Sequence, residues 1–239
     1  MASKARSPNT SKSTARSVLV VAAHPDDEVL GCGGAIARLA DEGAAVHVIF
    51  IADGVGARGT ARPDAKVLKL RRKAAQKACA ILGAASVIFG DLPDNRLDTV
   101  ALLDVIKQVE NRLGAVKPDL VLTHHAGDLN IDHRKIHDAV VTACRPQKSQ
   151  SVRTLLFFEV PSSTEWQVPG AGQPFEPNWF IDISTTLDRK LAALEASGME
   201  MRAWPHPRSV EAVTHLARWR GATVGADAAE AFVLGRTIA

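Results

Sequence analysis

From Ser17 onward, short β-branched runs alternate with stretches of helical spacing, and this alternation restricts the chain more than any other feature. The runs at 18–22, 46–51, 87–89, 120–123 and 154–158 are apolar at nearly every residue, as strands buried on both faces are. Between them, residues 33–41, 67–82, 99–113 and 132–143 carry the periodicity of amphipathic helices. The pattern predicts an α/β fold, a Rossmann-like mostly parallel sheet with helices on both faces. The segment from Pro161 to Ala239 differs: it is rich in proline, with one short strand at 180–183 and helices at 187–197 and 210–220. No polar linker separates it from the sheet, so it reads as a C-terminal elaboration of a single domain over 17–239. There is no internal repeat.

Residues 1–16 read as a disordered tail, rich in Ser and Thr and free of large apolar groups. Lys4, Arg6, Lys12 and Arg16 lie in it without any acid, so these four cations exceed the whole formal charge of +3. The body is close to neutral and has no electrostatic footprint for a polyanion, so nucleic acid and anionic membrane are not expected as partners. With 46% apolar and 23% charged residues the 239-residue chain has a globular composition, and no run approaches the ~18 apolar residues a membrane helix needs. Three widely spaced cysteines, Cys32, Cys79 and Cys144, indicate neither a disulfide framework nor a thiolate metal knuckle, and predict a cytoplasmic setting.

In open parallel sheets ligands bind beyond the carboxyl ends of the strands, and the loops there hold nearly all the unusual residues. The first reads His24-Pro25-Asp26-Asp27-Glu28, the second Asp53-Gly54-Val55-Gly56, the third Asp91 to Arg96, and the fourth runs from His124 to His133. A dinucleotide fold would put G-x-G-x-x-G in the first loop to bring backbone amides against a pyrophosphate. Three acids stand there instead and would repel phosphate; Gly31, Gly33 and Gly34 come late enough to serve close helix packing. Imidazole with carboxylate at a strand-to-helix turn suits a borderline metal such as zinc. A lone His-x-x-Asp would more often be a turn cap, but the Asp132-His133 cluster on the same edge favours the metal.

The string Ala23-His24-Pro25-Asp26-Asp27-Glu28, followed by Gly31-x-Gly33-Gly34 and by Asp132-His133, closely resembles the PIG-L (LmbE-like) family of zinc-dependent de-N-acetylases. The resemblance spans about 17–143, with FEVPSSTEW (158–166) and PHPRS (205–209) resembling a bacterial branch. It implies one Zn2+ held by His24, Asp27 and His133, Asp26 as general base, and an N-acetylglucosamine-type sugar or sugar conjugate as small-molecule substrate. Two histidines and a carboxylate leave an open position for a water whose pKa falls towards ~7. Asp26, adjacent to Asp27 but pointing elsewhere, would take its proton, with Glu28 next in line. Other readings of the same residues are an amidase on another small N-acyl substrate, and a metal-organised sugar-binding module without turnover.

Many family members have a histidine three residues before the last ligand; here Asn130 stands there, able to donate a hydrogen bond but not a proton. Either Asp26 returns its proton to the leaving amine, or a histidine enters from elsewhere. His206, between Pro205 and Pro207, is the distal candidate, from the same chain or a neighbouring subunit, which leaves room for a homo-oligomer. The family implies substrate contact by Arg71, and Asp94 in its Pro-turned loop is expected to bind sugar hydroxyls. Trp166 offers a stacking surface for a sugar. His137 and His47 read as structural, and His124 with His125 is open between structure and pocket.

Overall fold

The computed structural model describes residues 16–56, 65–198 and 200–239. The predicted tail therefore lies outside the described residues, apart from Arg16. Five parallel strands form the core of one sheet: β1 (Ser17–Ala22), β2 (Ala45–Ala52), β3 (Ser86–Leu92), β4 (Leu120–His124) and β5 (Thr154–Phe158). Two more, β6 (Trp179–Asp182) and β7 (Ala229–Arg236), are added antiparallel, giving the order β3-β2-β1-β4-β5-β7-β6. Strand alternation sorts β1 between two cores. Val18, Val20 and Ala22 face α1 (Asp27–Asp41), α2 (Ala65–Leu82) and α5 (Leu187–Ala196), while Leu19, Val21 and Ala23 face α3 (Leu102–Val116) and α4 (Ile131–Ala143). α6 (Val210–Ala222) packs beside β7 on the first face. Among the described residues no helix is long and apolar enough to cross a membrane, and all three cysteines are free and buried.

Two features differ from the sequence reading. The strand β7 was not anticipated; it is the element that binds the C-terminal segment to the sheet through β5. And α1 begins at Asp27 instead of Gly33, because it is two helical pieces joined at Cys32, whose φ of −146° interrupts the helical run. The break leaves backbone groups needing partners. Glu230 of β7 accepts from Gly34 N (2.9 Å) and Ala35 N (2.7 Å), and Lys190 of α5 donates to Leu30 O (2.9 Å) and pairs with Glu230 (2.5 Å), all deeply buried. The glycines expected to allow close packing do so: the ring of Phe158 occupies the space a Gly31 side chain would need, and a Cβ on Gly34 would lie 2.7 Å from Ile183.

Candidate metal centre

β1 and β4 are neighbours, but the chain leaves them in opposite directions, towards β2 and towards β5. At such a switch point the two following loops part and leave a crevice at the strand ends. The turn after β1 delivers His24, Asp26 and Asp27; the loop after β4 and the first turn of α4 deliver Asp128, Asp132 and His133, and all six are buried. His24 N donates to Asp27 Oδ2 at 2.8 Å, folding that carboxylate back over the turn.

One ligand atom each from His24, Asp27 and His133 lies within 4.8 Å of the others. Asp27 Oδ2 is 3.3 Å from His24 Nδ1 and 3.3 Å from His133 Nε2. The outer ring nitrogens meet carboxylates: His24 Nε2 lies 3.0 Å from Asp132 and 3.0 Å from Asp94, and His133 Nδ1 lies 3.1 Å from Asp128. A carboxylate behind each imidazole fixes the tautomer and turns the other nitrogen inward, the usual support for a metal-bound histidine. Asp132 is itself anchored by Asn95 N (2.7 Å) and Leu97 N (2.9 Å), and Asp128 by Ser163 and Thr164 hydroxyls. Asp27 Oδ1 and both ring nitrogens of His133 are buried without a well-formed hydrogen bond, Nδ1 having only its ion-pair contact with Asp128. Such orphans are costly unless something fills the space between them, so this donor set fits a divalent cation.

Electrostatics follow the same geometry. Burial opposes charge on His133, but Asp27 and Asp128 outweigh it and lift its pKa to about 9. His24 is likewise raised, burial being overcome by Asp132, Asp27 and Asp94. Burial would raise Asp27, yet His133 and His24 hold it well below the usual carboxylate range. His124 stays neutral: burial lowers it, and its Nε2 accepts from Ala23 N at 2.8 Å while its ring stacks 3.9 Å from that of His133.

Asp26 stands apart from the trio. Its carboxylate lies between Arg208 Nη1 (2.8 Å) and Arg71 Nη2 (3.5 Å), and burial raises its pKa despite them. Glu28 accepts from Asp26 N at 2.9 Å, and burial lifts its own carboxyl to about 8.

The other expected site residues are placed as follows. Arg71 turns inward: it is 6% exposed, pairs with Glu200 (2.9 Å) and donates to the Gly54 and Pro25 carbonyls. Asp94 is buried, 3.0 Å from His24 Nε2. Asn130 caps α4, its Oδ1 accepting from Asp132 N (2.8 Å) and its Nδ2 donating to Asn95 (2.9 Å). His206 is half-buried in the loop before α6, where Nδ1 accepts from Arg208 N (3.0 Å) and the ring meets Trp166 edge-on. His137 Nδ1 donates to the His124 carbonyl and His47 bonds Ser86, both structural placements. Sequence reasoning missed Asp128, Glu200, Arg208 and the Lys190–Glu230 pair. Asp128 lies in the loop from His124 to His133 and Arg208 in PHPRS, whereas Lys190, Glu200 and Glu230 stand in no motif.

A family model described as GlcNAc-PI de-N-acetylase, PIG-L, matches residues 19–144, which include every residue of the buried trio. The chain belongs to the PIG-L family. A 4-oxalmesaconate hydratase of Pseudomonas putida is 31% identical over 221 residues, covering 84% of this chain and 80% of that one. A diacetylchitobiose deacetylase of Thermococcus kodakarensis is 30% identical over 193 residues, covering 75% and 68%. Among solved structures, the 4-carboxy-2-hydroxymuconate hydratase GalB of Pseudomonas putida superposes with a TM-score of 0.75 at 26% identity, over 94% of this chain and 98% of that one. The diacetylchitobiose deacetylase of Pyrococcus horikoshii, at 20% identity, shares the PIG-L fold with a TM-score of 0.74 over 93% of this chain and 85% of that one. PIG-L relatives of this chain are thus named both as sugar deacetylases and as a hydratase.

Proposed function

We propose that this chain is a zinc-dependent hydrolase that removes the N-acetyl group from an N-acetylglucosamine-type sugar or sugar conjugate. The observation that carries the reading is the buried His24–Asp27–His133 trio, with unpartnered inward atoms, beside a further carboxylate that is not part of it. A binding module would need the three ligands but not Asp26. The deacetylase relatives support the substrate class, and the free buried thiols fit a reducing, cytoplasmic setting.

His24, Asp27 and His133 would hold the zinc. Bound there, the metal would polarise the acetamide carbonyl and acidify a water. Asp26 takes a proton as the water oxygen attacks the acyl carbon, and returns it to the nitrogen as the C–N bond breaks, releasing acetate and a free amine. Burial lifts the proton affinity of Asp26 in the direction a base working near neutrality needs. We assign the returned proton to Asp26 because Nδ1 of His206 is already engaged by the Arg208 amide. Asn130 keeps one amide N–H beyond its bond to Asn95, which suits a donor to the oxyanion.

A second reading, hydration of an activated C=C bond in a carboxylated substrate, draws on the hydratase relative and on the two guanidiniums beside Asp26. Against it, Asp26 and Glu200 already balance Arg71 and Arg208, so among the described residues these two guanidiniums leave no surplus charge for a substrate carboxylate. The test is incubation with N-acetylglucosamine, its glycosides and diacetylchitobiose, reading acetate and free amine with and without a chelator. Chelator-sensitive acetate release is expected. Loss of enoate absorbance from an unsaturated dicarboxylic acid, with no acetate from any sugar, would establish the second reading instead.

A further inference from the structure

Asp26 has φ 139° and ψ −27°, backbone that a residue with a Cβ adopts only when its surroundings enforce it. The backbone is fixed by Glu28 on Asp26 N and by Asp26 O, which accepts from Val29 N and Leu30 N. The side chain is fixed by the two guanidiniums, of unequal kind. Arg71 is anchored through Nη1 and Nη2 by the Gly54 and Pro25 carbonyls and by Glu200, and reaches Asp26 at only 3.5 Å. Arg208, 182 residues further along, makes the 2.8 Å bond. Its own direction is set at three points. Nε donates to Ser162 Oγ at 2.6 Å, Glu200 Oε2 lies 3.8 Å from Nη1, and the Arg208 backbone N–H is held by His206. Ser162 also adopts a left-handed φ of 69°, with its N–H bonded to Glu165 at 2.6 Å. Two strained residues on different loops thus face each other through one guanidinium.

We propose that Arg208 is a positioning residue for Asp26: bridging Ser162 and Asp26, it aims the Asp26 carboxylate, so the C-terminal loop completes a site whose ligands all precede β5. The inference rests on the role given to Asp26 above. A guanidinium can do this because Nε and Nη1 donate in fixed directions from one plane; an ammonium would keep the charge and lose the fork. His206 then serves the site through the turn that carries Arg208.

The test uses the full chain loaded with zinc. Arg208→Ala and Arg208→Lys are expected to keep full metal stoichiometry and a near-unchanged KM while kcat falls roughly 10-fold to 100-fold, the scale of a misplaced catalytic group. Added guanidinium should restore part of the loss in Arg208→Ala and none in Asp26→Asn. The double variant with Asp26→Asn should be no slower than Asp26→Asn alone. A crystal structure of Arg208→Lys should show the Asp26 carboxylate rotated from its wild-type position, a readout independent of turnover. Unchanged kcat, or an unmoved carboxylate, overturns the proposal, and a raised KM at constant kcat would make Arg208 a substrate contact instead. If Arg208→Ala does not fold, Ser162→Ala removes only the Nε anchor and should give a smaller kcat loss at the same KM; full activity there overturns the proposal equally. Wild-type protein inert towards every acetamido sugar would fail the functional reading, whereas active wild type with indifferent variants fails only this one.

Discussion

The two ends of the sheet are built differently and do different work. The parallel strands β1 to β4 end in loops that supply His24, Asp27 and His133, the atoms facing one another across the crevice. The antiparallel strands β6 and β7, with α5 and the loop before α6, supply none of that trio, but supply Lys190, Glu200, Arg208 and Glu230, which hold the first loop and α1 in place. The difference is one of range. Ligands cluster in short strings because neighbouring residues in a turn share a location, whereas supports can come from any segment that packs nearby.

That division can be broken or sharpened by experiment, the largest effects coming from the parallel end. Asp27→Ala should abolish metal binding and lower acetate release by at least about 10⁴-fold; retained stoichiometry by elemental analysis would move the centre elsewhere. Asp26→Asn should keep the metal and lose ~10²-fold to 10⁴-fold in kcat, and near-normal turnover would hand the base to Glu28. At the antiparallel end the expected effect is on folding. Lys190→Met strands the Glu230 charge in the core and should cost about 3–5 kcal/mol in urea unfolding while the folded fraction still binds metal stoichiometrically.

Smaller effects test how the ligands hold one another. With metal removed by chelation, the ion pairing of His133, raised from 6.5 to about 9 in the fold, contributes fully below pH 6.5 and is lost as pH rises through about 9. The metal-free Tm should therefore drop across that window and the metal-loaded Tm should not; parallel curves would mean that His133 is not held by Asp27 and Asp128. Smallest is Asn130→Ala, expected to lose about 1 kcal/mol as an N-cap. Asn130→Asp keeps the cap acceptor and removes the amide N–H, so full kcat in that variant would leave Asn130 a cap alone.

The parallel part of the fold was legible because its central strands are buried on both faces and therefore read as apolar runs, as at 18–22 and 48–51. β7 was not, since Ala-Glu-Ala-Phe followed by Val-Leu-Gly-Arg mixes a buried charge, small residues and a glycine, and shows no strand period. The start of α1 was hidden for a related reason: the break at Cys32 lets Asp27 and Glu28 belong to a helix whose sequence looks helical only from Gly33. At the site, the strings show which residues lie together but not which way Arg71 and Asp94 turn. Arg71 meets Glu200 and Asp94 meets His24, and neither partner is near it in sequence. Side-chain direction is decided by such partners, which periodicity does not encode.

The carboxylate that caps the second piece of α1 lies on the last strand of the chain. During synthesis β1, α1 and β4 all emerge before it, so Gly34 and Ala35 wait for a partner until β7 has been made. The metal-binding loop is therefore made well before it is locked, and a nascent chain halted before Ala229 would carry all three ligands with α1 still free to shift.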